Sequence, residues 1–211
     1  MNKKNLCIIG AGGAARDVFT IADALGLQDE FLCFLESDDI WVDRKILGHE
    51  VKPLSYLDIK KHKVIVAIGD SEARKKIVDM LPRGTQFFSM VHPAAILSPW
   101  VETGEGCIIS AGCILTCDIK IGKHAYINIA TTITHDCRIG DYFTAAPSVN
   151  ISGNCTIGDC VFLGTNSSIR EKTSITDNVF VGMGSVVISH LTEPGTYFGI
   201  PARKISSLTK S

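Results

Sequence analysis

From Ala95 onward the chain returns to a small or aliphatic residue at every sixth position, and this spacing organises more of it than any other pattern. The register reads Ala95, Val101, Cys107 and Cys113, shifts by two residues, and resumes at Ile121, Ile127, Ile133, Ile139, Ala145, Ile151, Ile157, Leu163, Ile169, Ile175 and Val181. A glycine often follows the aliphatic position (Gly122, Gly140, Gly158, Gly164, Gly182), and small or β-branched residues such as Ala125, Thr131, Cys137, Val149 and Cys155 recur between. Neither a helical period nor a two-residue alternation fits these positions. A hexad repeat of this kind predicts a parallel β-helix, in which three hexads make one triangular coil and the aliphatic residues stack in a narrow interior. One coil cannot bury its own apolar residues, so about five stacked coils are expected, roughly 24 Å tall at the ~4.8 Å spacing of paired strands.

The N-terminal segment follows another rule. Residues 6–10 (LCIIG) read as a buried strand, 10–13 (GAGG) as a tight turn, and 14–25 carry helical spacing that stops at Gly26. A second strand over 31–35 ends on Glu36, a third over 64–68 ends at Gly69, and Asp70 or Ser71 caps a helix over 72–80. Alternating strands and helices predict a small Rossmann-like α/β unit with a parallel sheet, whose ligand crevice lies beyond the strand C-termini. Gly10, Gly12, Gly13, Glu36 and Gly69 gather there. The expected division is 1–92 for this unit and 93–211 for the β-helix with its C-terminal tail. Ala15 stands where a dinucleotide fingerprint has its third glycine, which argues against nicotinamide. Phosphate or ribose contact at the helix N-terminus fits the turn, and so does tight packing with no ligand.

Composition narrows the function classes. A formal charge of −1 over 211 residues offers no electrostatic case for nucleic acid or an anionic membrane as partner. No run of 18 apolar residues and no signal-peptide core occur, so a cytoplasmic protein is expected. Of the eight cysteines, Cys107, Cys113, Cys137 and Cys155 fall on repeat positions and no CxxC pair is present, which predicts buried free thiols and no metal.

Among the six histidines, His49, His62 and His190 lie outside any motif, His92 precedes Pro93 at the domain junction, and His124 sits in the repeat without a recognisable site. His135 differs. It follows Ile133 and Thr134, so it lies away from the interior position near a corner of a coil, and Asp136 comes directly after it. A histidine with an ordinary pKa near 6.5 is mostly neutral at pH 7 and ready to accept a proton from an attacking nucleophile.

Five segments in order, GAGGAAR (10–16), AIGD (67–70), the His92–Pro93 junction, NIATTITHDCRIGD (128–141) and GIPAR (199–203), are similar to the hexapeptide-repeat acyltransferases. Within them the chain resembles the group of sialic acid O-acetyltransferases and bacillosamine-type N-acetyltransferases. The resemblance implies a left-handed parallel β-helix, a homotrimer with active sites between neighbouring prisms, and acetyl transfer from acetyl-CoA to an amino sugar carried on a nucleotide. It places His135 as general base, Asp136 as the acid that orients it, and Asn128 against the sugar. Thr144, Gly153, Thr165 and Met183 align with the acetyl-CoA groove, Gly153 as a backbone donor near the thioester. Gly12, Gly13, Ala14, Glu36, Ser37 and Gly69 align with the nucleotide-sugar pocket.

Two positions depart from the pattern: Ala14 and Thr144 stand where many or some relatives have histidine. The Thr144 hydroxyl retains one hydrogen to donate to the acetyl carbonyl, and the altered pocket implies a different sugar or nucleotide. A 4-amino-4,6-dideoxy sugar on dTDP or UDP is the favoured substrate, destined for surface polysaccharide. An O-acetyltransferase acting on sialic acid or another sugar hydroxyl is the alternative, and a non-catalytic β-helix scaffold is the alternative of another class. The basic residues of the closing segment, Arg203 and Lys204, suit either CoA phosphates or plain solvation.

Overall fold

The computed structural model describes residues 4–205; the outer ends of the two expected units, 1–3 and 206–211, lie outside the described residues. The N-terminal unit runs β1 (Asn5–Ile9), α1 (Gly13–Ala24), β2 (Phe31–Glu36), β3 (Arg44–Ile46), β4 (His49–Pro53), β5 (His62–Val66) and α2 (Ser71–Met80). Its sheet has the order β3-β4-β2-β1-β5, parallel except for the β3–β4 hairpin. The unbroken apolar runs of β1 and β2 suit strands covered on both faces, and Leu6, Cys7, Ile8, Phe34 and Leu35 are fully buried. Helix α1 covers one face through Ala15, Val18, Ile21 and Ala22. Asp70 caps α2 by accepting from the Ala73 N–H at 2.8 Å. The hairpin was not foreseen from the pattern: RKI and HEVKP are short and polar, and their turn at Leu47 and Gly48 has positive φ at both residues.

The rest is the expected solenoid. A first face contains Met90–Val91, Ile108–Ile109, Tyr126–Ile127, Thr144–Ala145, Phe162–Leu163, Val179–Val181 and Gly195–Phe198, closed by an antiparallel strand, Arg203–Lys204. A second face stacks six strands from Ile96–Leu97 to Val186–Val187, and a third stacks five from Val101–Thr103 to Ser174–Ile175. Six rungs at the usual strand spacing make a prism roughly 29 Å tall, one coil more than the pattern suggested. Its first strand, Met90–Val91, lies just before the His92 junction.

The two-residue shift read from the sequence is absent. Leu115 pairs with Leu97, Ile121 with Thr103 and Ile127 with Ile109, so the interior register runs unbroken from Leu97. Ala95, Val101, Cys107 and Cys113 instead occupy the smaller inward position two residues earlier, the column shared by Ile119 and Ala125. Thr103 hid this. It takes an aliphatic place on the first coil, where the interior is still open to solvent and a hydroxyl is tolerated.

The corners also keep the six-residue period. Asp118, His124, Ala130, Asp136, Tyr142, Ser148, Asn154, Cys160, Asn166, Lys172 and Asn178 all have φ between 51° and 61°. Such a left-handed conformation costs a non-glycine residue about 1 kcal/mol or more and persists only where the surroundings over-determine it. Here they do, since the corner N–H groups from His124 to Asn178 each reach a carbonyl of the coil above, as from Asp136 to Cys117 at 3.1 Å and from Asn154 to His135 at 2.9 Å.

Candidate active site

Consecutive residues of a strand point to opposite faces, yet His135 and Asp136 point together, because Asp136 is a corner residue with φ 61°. The kink turns both side chains outward on the edge between the second and third faces, with 56% and 44% of their side-chain surfaces exposed. His135 Nδ1 lies 2.7 Å from Asp136 Oδ2. Hydrogen bonding to His135 leads the causes that hold the Asp136 carboxyl below its ordinary 3.8, with Asp118 and Arg138 adding to it. An ionised carboxylate only accepts, so Nδ1 is the ring nitrogen that donates, which in the neutral ring leaves the lone pair on Nε2. That is the protonation pattern a general base requires.

Asp118 stands one coil above Asp136 and is tied to Arg138, which donates to its carbonyl at 2.6 Å and to Oδ1 at 2.9 Å. One coil below His135 is Gly153, which is buried. A Cβ at that position would lie 2.5 Å from His135 Cε1 and 2.7 Å from Nε2, so the imidazole rests on the space a side chain would occupy. Hexad arithmetic could have found both neighbours, since vertical contacts recur at 18 residues. Neither Asp118 nor Arg138 was singled out from sequence.

The remaining expected acetyl-CoA and sugar residues lie elsewhere on the same chain. Asn128, Thr165 and Met183 follow strands of the first face and so sit on the edge between the first and second faces. Thr165 and Met183 are adjacent rungs there, exposed and joined through the Gly184 N–H to the Thr165 carbonyl at 2.8 Å. Within one chain a whole face separates them from His135.

Thr144 needs correction. It was expected to donate to an acetyl carbonyl, but it is 3% exposed and points from the first face into the N-terminal unit. Its hydroxyl donates to the Gly69 carbonyl at 2.9 Å and accepts from Arg74 Nη2 at 2.8 Å and Ser71 Oγ at 3.0 Å. One donor and two acceptor sites are thereby used up, and none remains for an oxyanion.

The glycine turn lies where expected, beyond the C-terminal end of β1. Gly12 and Gly13 begin α1, and Gly12 caps it without a side-chain hydrogen bond and with no acidic residue in the first turn. A Cβ on Gly12, Gly13 or Gly69 would meet nothing within 4 Å, so all three border open space, with Ala14 half-buried beside them. Gly10 differs: with φ 119° its Cβ would lie 2.8 Å from the Ala67 carbonyl, so this glycine lets β1 approach β5. Free N–H groups at the start of a helix suit a phosphate. Glu36 ends β2 at the rim, next to half-buried Ser37, and is gripped by Arg44 through two bonds of 2.7 and 2.8 Å, which holds its carboxyl below the usual range. Arg44 lies in the unforeseen hairpin and carried no signal in the sequence.

Residues 5–81 match the family described as PglD N-terminal domain. The whole chain is similar to the acetyltransferase domain of PglB from Neisseria gonorrhoeae FA1090 in complex with acetyl coenzyme A, at 26% identity, with 97% of this chain and 100% of that one covered and a TM-score of 0.86. It is equally similar to PerB from Caulobacter crescentus, solved with CoA and GDP-perosamine, at 29% identity over 96% and 97% of the two chains and a TM-score of 0.86. In sequence it is 31% identical over 116 residues to the UDP-N-acetylbacillosamine N-acetyltransferase of Bacillus subtilis (strain 168), a match spanning 51% of this chain and 52% of that protein. The chain therefore spans about half the length of that curated relative. The resemblance read from the motifs to acetyl-CoA-dependent acyltransferases is borne out, as is the two-part fold.

Proposed function

We propose that this chain transfers the acetyl group of acetyl-CoA to the amino group of a nucleotide-linked amino sugar, with His135 as general base. The observation that carries the reading is the 2.7 Å contact of His135 Nδ1 with Asp136 on an exposed corner, which leaves Nε2 as the ring nitrogen that can accept a proton from a bound amine. The nucleotide lies in the crevice bordered by Gly12, Gly13, Ala14, Glu36, Ser37 and Gly69, its phosphates at the start of α1. The favoured sugar is a 4-amino-4,6-dideoxyhexose on dTDP or UDP.

In the reaction the amine nitrogen attacks the thioester carbonyl carbon while Nε2 of His135 takes the proton that the nitrogen must lose. The tetrahedral intermediate then collapses, the carbon–sulfur bond breaks, and the departing thiolate takes up a proton to give CoA and the amide. No acyl-enzyme is needed. General-base assistance contributes about 10² to 10⁴ in rate, or roughly 3 to 5 kcal/mol of barrier, and co-positioning two substrates contributes more.

A homotrimer accounts for the split of the site residues. His135, Asp136 and Gly153 occupy one edge of the prism, and Asn128, Thr165 and Met183 another, so a second copy bringing its other edge alongside would complete a groove for the pantetheine. Arg203 and Lys204 stand at the far end of the first face, beyond Met183.

The test is a panel of dTDP-, UDP- and GDP-linked 4-amino sugars and their 4-hydroxy counterparts, each with acetyl-CoA and scored by release of free thiol. Transfer to the amine and a loss of about 10² to 10⁴ in kcat for His135→Ala are expected. Near wild-type turnover in His135→Ala would overturn the mechanism, and acetylation of the 4-hydroxy sugars alone would overturn the choice of nucleophile.

A further inference from the structure

Among the described residues Arg74 is the largest fully buried side chain, at 1% exposure, yet it begins as a polar position on α2, on the opposite side of the molecule from the His135 edge. Its guanidinium donates to six oxygens. Nη1 reaches the Ile68 carbonyl at 2.6 Å and the Gly69 carbonyl at 3.2 Å. Nη2 reaches Tyr142 at 2.8 Å, Phe143 at 3.0 Å and the Thr144 hydroxyl at 2.8 Å. Nε reaches His124 at 2.8 Å. Burial lowers its pKa from 12.5 to about 10, so the group is still cationic near neutrality. Two of these acceptors belong to the loop between β5 and α2, and the other four belong to two successive coils of the prism.

Gly69, which carries one of those carbonyls, is also the residue that borders the crevice with open space above it. Its carbonyl is held twice, by Arg74 and by the Thr144 hydroxyl at 2.9 Å. The loop is therefore fastened to the prism by oriented bonds, which fix direction as well as distance, and not only by apolar packing. Gly10, which opens the glycine turn, packs against the Ala67 carbonyl two residues before Gly69, so the turn and the Gly69 wall lie in close contact.

We infer that Arg74 and Thr144 are positioning residues that set the Gly69 wall of the nucleotide-sugar crevice against the catalytic prism. The inference rests on the transferase reading above. It gives Thr144, which stands where some relatives carry histidine, a role in sugar-nucleotide placement in place of one at the acetyl group. A reactant misplaced by about 1 Å can lose as much as 10² in rate, so the fastening bears on turnover without touching substrate.

Calorimetric titration of UDP, dTDP, GDP and acetyl-CoA into wild type, Thr144→Val, Thr144→Ser and Arg74→Lys tests this. The nucleotide that binds wild type should bind Thr144→Val and Arg74→Lys about tenfold more weakly, with KM for its amino sugar raised to match, while acetyl-CoA affinity stays within about twofold. Thr144→Ser, which keeps the hydroxyl, should restore both values. Unchanged nucleotide affinity in Thr144→Val, or an equal loss of nucleotide and acetyl-CoA affinity, overturns the inference. Should Arg74→Lys fail to fold, Thr144→Val decides alone. If wild type itself binds none of the three nucleotides, the proposed function falls and this inference falls with it.

Discussion

The imidazole of His135 rests on Gly153, one coil below, so closely that a methyl group there would lie 2.5 Å from Cε1. Gly153 does not have a left-handed backbone, so alanine is tolerated by the chain itself and only the ring has to move. Gly153→Ala should lower kcat about 10²-fold by tilting Nε2 away, while far-UV circular dichroism and thermal midpoint stay near wild type. Full activity in this variant would show that the ring position does not matter.

Asp136 acts through the ring. Its carboxyl is held below the ordinary 3.8 chiefly by the bond to His135, so it is a carboxylate at neutral pH. Asp136→Asn keeps the shape but can present an N–H to Nδ1, which favours the wrong tautomer. Steady-state kinetics should show kcat down by about 10² to 10⁴ with the KM for acetyl-CoA little changed.

Interior positions of the prism are unequal. Ile151 is 1% exposed within the stacked core, and truncation to alanine should cost about 2 to 5 kcal/mol in urea unfolding. Thr103 takes the same register on the open first coil, so Thr103→Val should change stability by no more than about 0.5 kcal/mol. Equal effects at the two positions would contradict the register described above.

The Glu36–Arg44 pair makes a pH-dependent contribution. Arg44 holds the Glu36 carboxyl below its ordinary 4.5, so the stabilisation is present in full above that value and is lost as pH falls through the lowered one. Wild type and Glu36→Gln should therefore differ in unfolding midpoint at pH 7 and converge in the acid range below pH 4.5. A difference that persists at the most acidic pH would assign the effect to something other than this ion pair.

All eight cysteines are free thiols, and Cys117 alone is exposed. A thiol-specific reagent should modify one group per chain rapidly in native protein, and Cys117→Ser should abolish that phase. Several fast-reacting groups would show that the interior column of Cys137 and Cys155 opens in solution.

The six-residue period could be read directly because the backbone itself repeats: each strand pair, each inward residue and each left-handed corner recurs in step, so the side chains must follow. Three strands and both helices of the N-terminal unit were likewise legible, with Asp70 one of the two residues read as the cap of α2. Where one polar residue, Thr103, took an aliphatic place, the pattern looked broken although the structure is not. The hairpin of β3 and β4 escaped because two short polar strands leave no period.

Sequence alone thus determined the prism, the crevice-bearing domain before it, and the His135–Asp136 corner, since adjacent residues in a repeating backbone meet by local geometry. Tertiary structure decided what Thr144 and Arg74 do. Their bond joins positions 70 residues apart and depends on how α2 docks against one face of the prism, a relation that no repeat encodes. It also showed how closely the His135 ring packs on Gly153, a distance that the 18-residue spacing alone does not give.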